Sequence, residues 1–488
     1  LTFNSTNDTW EGQILSSFAD DMGFEYYLEA SDGPNTARLP LTANTYFKTT
    51  LTFNGVNAPS LSLPSGGTKS SWKIISVPYT LAAPQISTIF DQFPITDKTK
   101  WRMIRYTETP SQGWQEYPNN FSSIERGKGY FINTKDGGTV TLDDASAPGT
   151  YSRDNLFEMN LDAGWNQIGN PYTATINWND VKAYNSTLQV GDLHRFQGGS
   201  YTNNPGDEQL PVMQGGFVEV ETAMVIKIPF AGQNIPGDGR KGFKDLGGDI
   251  NADQWALSFN LEQGQLAYGL GSIGMAKDAS VSRDIYDAST PPRFFDYLEI
   301  NFAHPEYFQK RFTRDVVPTQ EQYAWEFTVA TNQEGIAELQ WDNDPLVGSS
   351  KDLFLLDVSR QKLVNMKETN SYLFDPKESA TFRVYFGENL NIAPEGVELG
   401  KAYPNPTSGY TVIAFSLPET GGTNQSVSLE LLDAMGRTMG IITQGRLNPG
   451  YHEAGFDTKD MTGGFYTYRL SVQGIKGRVT QVNKLIIK

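Results

Sequence analysis

The sequence predicts a nearly all-β chain built as a multi-domain string of β-sandwich domains with an internal tandem repeat. Three observations predict it. Helical periodicity is almost missing, and its best candidates are short runs at 83–93, 179–184 and 305–312. Elsewhere short β-prone runs alternate with clusters of Gly, Pro, Asn and Asp. The chain has 488 residues with 47 Gly and 26 Pro, enough turn-formers for many strands. At roughly 100–200 residues per domain the length allows three to five domains. The expected blocks are 1–66, 67–150, 151–235, 245–390 and 400–488.

In the first block Phe24, Tyr26, Leu28 and Ala30 alternate with Glu25, Tyr27, Glu29 and Ser31, and Ser31-Asp32-Gly33 closes the run as a turn. One face of such a strand is expected buried and one wet. The block resembles the late strands of a fibronectin type III or immunoglobulin-like domain. It is too short for a whole one, so the start is expected to be a processed or truncated end, and no signal peptide is read.

The second and third blocks repeat each other. Trp72, Pro78 and Tyr79 recur as Trp165, Pro171 and Tyr172, and Trp101 stands where His194 does later, at an offset of 93 in both cases (72 to 165, 101 to 194). With a small deletion, Gly127-Lys128-Gly129-Tyr130-Phe131-Ile132 parallels Gln214-Gly215-Gly216-Phe217-Val218-Glu219. Two copies are too few for a solenoid, so the pair forms two small tandem domains or one pseudo-symmetric domain. A Gly- and Asp-rich linker is expected at 233–249. Six or more strand-like runs between 250 and 388 argue a two-sheet sandwich, and a second linker is expected at 390–400.

The last block opens on Tyr403-Pro404-Asn405-Pro406-Thr407-Ser408-Gly409, where the prolines impose an extended lead-in and Ser408-Gly409 a turn. Asp433 to Arg437 reads as a hairpin turn. Gly463-Gly464-Phe465-Tyr466-Thr467-Tyr468-Arg469-Leu470 and the terminal Lys484-Leu485-Ile486-Ile487-Lys488 read as late strands, for about seven in all. These motifs, in this order, resemble the type A C-terminal sorting domain of the type IX secretion system of Bacteroidetes, an immunoglobulin-like module. The resemblance implies that Tyr403, Pro404, Asn405, Pro406, Gly409, Gly463, Gly464, Tyr466, Tyr468, Arg469, Lys484 and Lys488 carry the sorting signal. It implies passage through an outer-membrane translocon, contact with translocon and sortase machinery, and an extracellular or outer-surface location. By analogy a cut would fall at about 390–401.

The rest bounds chemistry by exclusion. Net charge is −17 with no basic run, so nucleic acid is not an expected partner. Cysteine is absent, which removes disulfides, thiolate metal sites and a Cys nucleophile. No apolar stretch has the roughly 18 residues a membrane span needs. His194, His304 and His452 fall in three different blocks, so a shared metal site or a Ser-His-Asp triad is not expected, and His194 reads as a packing residue. Gly269, Gly271 and Gly274 have dinucleotide-loop spacing but no following βαβ unit, and are expected in a Gly-rich loop. No other cofactor is expected beyond structural calcium, for which Asp249, Asn251 and Asp253 form one candidate set and Asp278, Asp284 and Asp287 another. Trp101, Tyr106, Trp114, Tyr117, Tyr130, Tyr201 and Phe217 could stack on sugars, although small sandwiches also fill cores with such rings. The expectation is a secreted surface protein without catalysis, serving as adhesin, filament or scaffold component and touching glycans or other surface proteins. The alternatives are the C-terminal accessory region of a larger secreted hydrolase, either a protease or a polysaccharide-degrading enzyme, and an assembly of carbohydrate-binding modules.

Overall fold

The computed structural model describes the chain apart from residues 1, 13–23, 43–45, 50–58, 96, 109–112, 143–144, 147–155, 203–207, 230–248, 308, 378–379, 391, 420–423 and 475–476. It divides into two compact units, Leu1–Lys244 and Asp245–Lys488. The linker expected at 233–249 lies outside the described residues except for Asp249.

The first unit begins with small hairpins. Leu28–Ser31 pairs with Thr36–Leu39, and the alternation expected there does not produce a buried face. Tyr27 and Leu28 are both exposed, and the Arg38 guanidinium covers the Tyr27 ring at 4.4 Å. The reason is that a two-stranded ribbon has no second layer to cover either side. Phe24 and Glu25 have side chains outside the described residues. Strand Ser60–Ser65 pairs with Asp136–Thr141, which places Leu61 and Leu63 in the core of the following block.

That core is organised by a four-stranded sheet in the order Gly113–Glu116, Trp101–Thr107, Tyr130–Thr134, Lys73–Ile75. Val77, Ile86, Met103, Tyr130 and Ile132 fill it. A second core collects Met159, Ile168, Trp178, Val181, Val218 and Ile226. Around it Gly164–Gly169 pairs with Gly215–Val220 and Phe157–Leu161 with Met224–Ile228. Two of the three expected helices are present, as Ile86–Ile89 and Trp178–Tyr184, the second capped by the Asn177 side chain, which accepts from the Asn179 amide. Residues 305–307 form a turn and strand Arg311–Pro318 follows, so the described residues of 305–312 form no helix. Pairing of that strand with Leu266–Ala276 and Leu298–Ala303 takes its backbone groups into the sheet.

The two cores meet along a glycine-lined seam. Ile75 bridges Gln214, Lys128 bridges Ile168, and the Ser76 hydroxyl donates to Gln214 O at 2.9 Å. A Cβ on Gly169 would run into Lys128 O and Ser76 Cβ, and one on Gly215 would lie 2.5 Å from Ile168 O. Only glycine lets backbone approach backbone this closely. Beside the seam Phe131, Phe196, Tyr201 and Phe217 interlock edge-to-face.

In the second unit eleven strands, from Trp255–Gln263 to Thr381–Gly387, form one continuous hydrogen-bonded sheet. It doubles over at Leu298–Ala303, which pairs with Arg311–Pro318 on one side and Gln322–Thr331 on the other. The expected two layers are therefore halves of a single sheet. Trp255 against Trp325, Phe259 against Phe327 and Phe374 against Phe382 pack between them. Gly271 and Gly274 sit inside strand Leu266–Ala276, not in the loop expected there. Close approach demands them: a Cβ on Gly271 would lie 2.6 Å from Ile300 Cδ1, and one on Gly274 would meet Trp255 O.

Candidate functional site

The terminal module is two packed sheets with one core. The order is Glu398–Leu399, Tyr410–Leu417, Gly450–Asp457 in one and Thr438–Leu447, Gln425–Leu432, Gly464–Gly474, Gly477–Ile487 in the other. Alternation decides the faces. Tyr468, Leu470 and Val472 point inward with Val427, Leu429, Leu431, Leu485 and Ile487, while Phe465, Arg469 and Lys484 remain outside that core.

The motifs at 403–409, 463–470 and 484–488 converge at one end of this module. Asn405 is the hook. Its Nδ2 donates to Lys484 O at 3.0 Å and its Oδ1 accepts from the Ile486 amide at 2.9 Å. Thr407 continues the contact: its amide donates to Ile486 O, and the Lys488 amide donates to Thr407 O. Tyr403 exchanges both backbone hydrogen bonds with Val412, and Pro404 O accepts from the Thr411 hydroxyl. Gly409 O accepts from the Thr458 amide, and the exposed Pro406 lies between these anchors.

The later motifs meet the same end through register. Gly464 pairs with Ile487, Phe465 with Ile486 and Thr467 with Lys484. A Cβ on Gly463 would stand 3.2 Å from the Lys488 carbonyl carbon. The Tyr466 hydroxyl donates to Thr462 O at 2.8 Å. Tyr468 is fully buried, and its hydroxyl donates to Gly400 O and accepts from the Ala402 amide. Arg469 Nη2 donates to Glu430 Oε2 at 2.6 Å, and this bond holds the Glu430 carboxyl below its ordinary range.

The turn at 433–437 belongs to the same end, because Leu432 pairs with Thr467, the partner of Lys484. Asp433 Oδ1 accepts from the Met435 and Arg437 amides, and the bond from the Arg437 amide leads the lowering of its pKa. Here two side chains that the sequence reading passed over stand out: Met435 is 82% exposed and Phe465 74% exposed. Their motif neighbours were legible, but exposure of an apolar side chain depends on which face each strand turns outward. The bridging role of Asn405 also has no linear signal, since its partners lie about 80 residues downstream.

The other candidates are placed as follows. Asp249 Oδ1 accepts from the Asn251 amide, and Asn251 Oδ1 accepts from the Ser349 hydroxyl. Asp253 O accepts from the Thr319 hydroxyl. Asp278 Oδ1 accepts from the Tyr286 hydroxyl at 2.7 Å and Asp284 Oδ1 from the Tyr286 amide at 2.8 Å. Asp287 accepts from the Val316 and Asp284 amides, and burial pushes its carboxyl up to about 7. Among the described residues no three His, Cys, Asp or Glu side chains gather as a metal-ion cluster. His194 packs edge-on against Trp165 at 5.2 Å, and His304 against Phe312 at 4.8 Å. Of the rings considered for sugars, Trp101, Tyr106, Tyr117, Tyr130, Tyr201 and Phe217 are buried, and Trp114 is half-buried between Tyr106 and Phe131. Among the described residues no helix is long and apolar enough to cross a membrane.

Residues 401–488 match the secretion system C-terminal sorting domain family, the span over which the motifs converge. The module therefore marks the chain as exported, either secreted or held at the cell surface. More particularly, it is a cargo protein of the type IX secretion system, and its module is what that machinery engages. Among solved structures the chain is similar to dimeric latent PorU from Porphyromonas gingivalis at 13% identity and a TM-score of 0.17, covering 48% of this chain and 29% of that one. It is also similar to a putative beta-galactosidase from Bacteroides fragilis at 8% identity and a TM-score of 0.15, covering 32% of this chain and 33% of that one. The chain thus spans about a third or less of these two solved chains, and likenesses this slight carry no argument about fold. No curated protein matches it.

Proposed function

We propose that this chain is a non-catalytic adhesive, filament-forming or scaffold component of a Bacteroidetes cell surface, delivered there by an immunoglobulin-like sorting module at 400–488. One observation supports the delivery reading most: four separated motifs assemble at a single end of the module, with Phe465 and Met435 exposed beside them. Exposed apolar side chains rimmed by charge are what a protein partner buries. Support for the non-catalytic reading comes from the upstream blocks. Their rings pack on one another, and their histidines sit against aromatic neighbours.

The delivery test is the double variant Phe465→Ser, Met435→Ser, which leaves the module core untouched. The expected result is a chain that melts as the wild type does but no longer reaches the surface. Wild-type amounts at the surface would overturn the assignment of this face. The role at the surface is tested by deleting the protein and by assaying the purified chain on peptide and polysaccharide panels. Loss of adhesion or of surface assemblies, with no hydrolysis, is expected; turnover of a substrate would favour an enzyme or its accessory region.

A further inference from the structure

The terminal module does not hang from the preceding sandwich on a loose tether. Strand Glu398–Leu399 already belongs to the module, pairing with Tyr410–Leu417. Across the junction the Lys401 amide donates to Ser359 O at 3.1 Å while the Gly400 amide donates to Ala414 O at 2.9 Å. A Cβ on Gly400 would collide with Arg360 O, so the module backbone lies directly against the sandwich turn.

Arg360 organises this contact. It is 5% exposed, and Nη1 donates to the Tyr372 hydroxyl at 2.8 Å and to Leu373 O at 3.0 Å. The fully buried Asp357 fixes it from below, accepting from the Arg360 amide and from the Tyr372 hydroxyl. Held in that cradle, the guanidinium presents its face to the Tyr403 ring, with Cζ 3.2 Å from the ring centroid. Tyr403 is the first residue of the opening motif. Stacking of a desolvated guanidinium on an aromatic face is a directional attraction. Lys362 of the sandwich and Glu453 of the module add an ion pair beside it. A cavity of about 330 Å³ remains between the two surfaces, lined by Arg360, Tyr372, Tyr403 and Glu453 among others. Stacking, backbone hydrogen bonds and an ion pair thus all contribute to this contact.

We propose that Arg360 is a clamp that docks the sorting module onto the sandwich, so that the opening motif is presented in one orientation and the backbone at 399–403 stays closed to exchange and proteolysis while the clamp holds. A signal docked this way is displayed only by a chain whose sandwich hairpin, Asp352–Asp357 with Lys362–Asn365, has folded.

The test is amide hydrogen exchange and limited proteolysis on the full chain, with cuts mapped by mass. Arg360→Gln alters the sandwich side and Tyr403→Leu the module side, so neither domain's stability alone can explain a shared effect. Both are expected to speed exchange at the Lys401 amide at least tenfold and to open new cuts within 399–403, with protection kept at Leu355 in the sandwich and Leu470 in the module. Lys362→Glu or Glu453→Lys should loosen the same stretch, and the double exchange should restore protection. Unchanged exchange at Lys401 in both Arg360→Gln and Tyr403→Leu would overturn the proposal, as would cuts within 399–403 of the wild type at the variants' rate.

Discussion

Asn405 shows how much of the sorting module rests on one amide. Its two hydrogen bonds fasten the opening motif to the last strand, and no other described side chain of that motif bonds to 484–488. Asn405→Ala should cost about 0.5–1.5 kcal/mol, because water can reach part of the donor and acceptor it frees. Faster amide exchange at Ile486 with little change at Leu429 is the signature to measure. Asp287 offers a pH-dependent counterpart. Its folded carboxyl titrates near 7 because burial opposes its charge, against an ordinary value of 3.8. Between those values the folded chain holds a proton that the unfolded chain has lost. Stability from this group is therefore highest at low pH and falls as pH rises from about 4 to 7. Asp315, also raised by burial, acts in the same direction. Urea midpoints taken across that range should decline in the wild type, and Asp287→Asn should remove part of the slope whatever its absolute stability. A variant with an unchanged slope would refute this account.

At the scale of elements, the glycine seam of the first unit is the most exacting feature. Gly169 meets Lys128 and Ser76, while Gly215 meets Ile74 and Ile168. Gly169→Ala must push backbone apart, and about 1–3 kcal/mol is expected from overpacking of this kind. Gly445, whose Cβ would meet nothing, is the control, and Gly445→Ala should leave the melting temperature nearly unchanged. The same scale shows where linear patterning misled. Period-two alternation at 24–31 looked like a half-buried strand, yet a strand is buried only where another layer covers it. The glycines at 269–274 looked like a loop, yet they admit neighbouring Ile300 and Trp255 to a central strand. Pro305 and its neighbours looked helical, but the sheet competed successfully for the backbone that follows. The helix at 178–184 was legible because an Asn cap precedes a short apolar period, both local signals.

For the molecule as a whole, charge is the dominant property. A net charge of −17 and a sequence pI of about 4.7 favour solubility and oppose non-specific association at neutral pH. Turbidity should therefore peak near pH 4.7 and clear as pH rises, and binding to polyanionic resin should be negligible at physiological salt. Tight retention on such a resin would contradict the charge argument. Each compact unit organises its own chemistry: the first places its rings and glycines around two cores, and the second carries the folded-over sheet and the module with the sorting motifs.

The sequence by itself determined the β class, the two short helices, the strands of the terminal module and the identity of its motifs. These follow from local period, turn chemistry and ordered short runs, each of which acts over a few residues. The tertiary structure alone decided that the motifs at 403, 433, 463 and 484 share one end, that Phe465 and Met435 face outward there, and that Arg360 stacks on Tyr403. The physical reason is that antiparallel register brings together residues far apart in the chain, and that the face a side chain occupies is settled by what packs against the sheet.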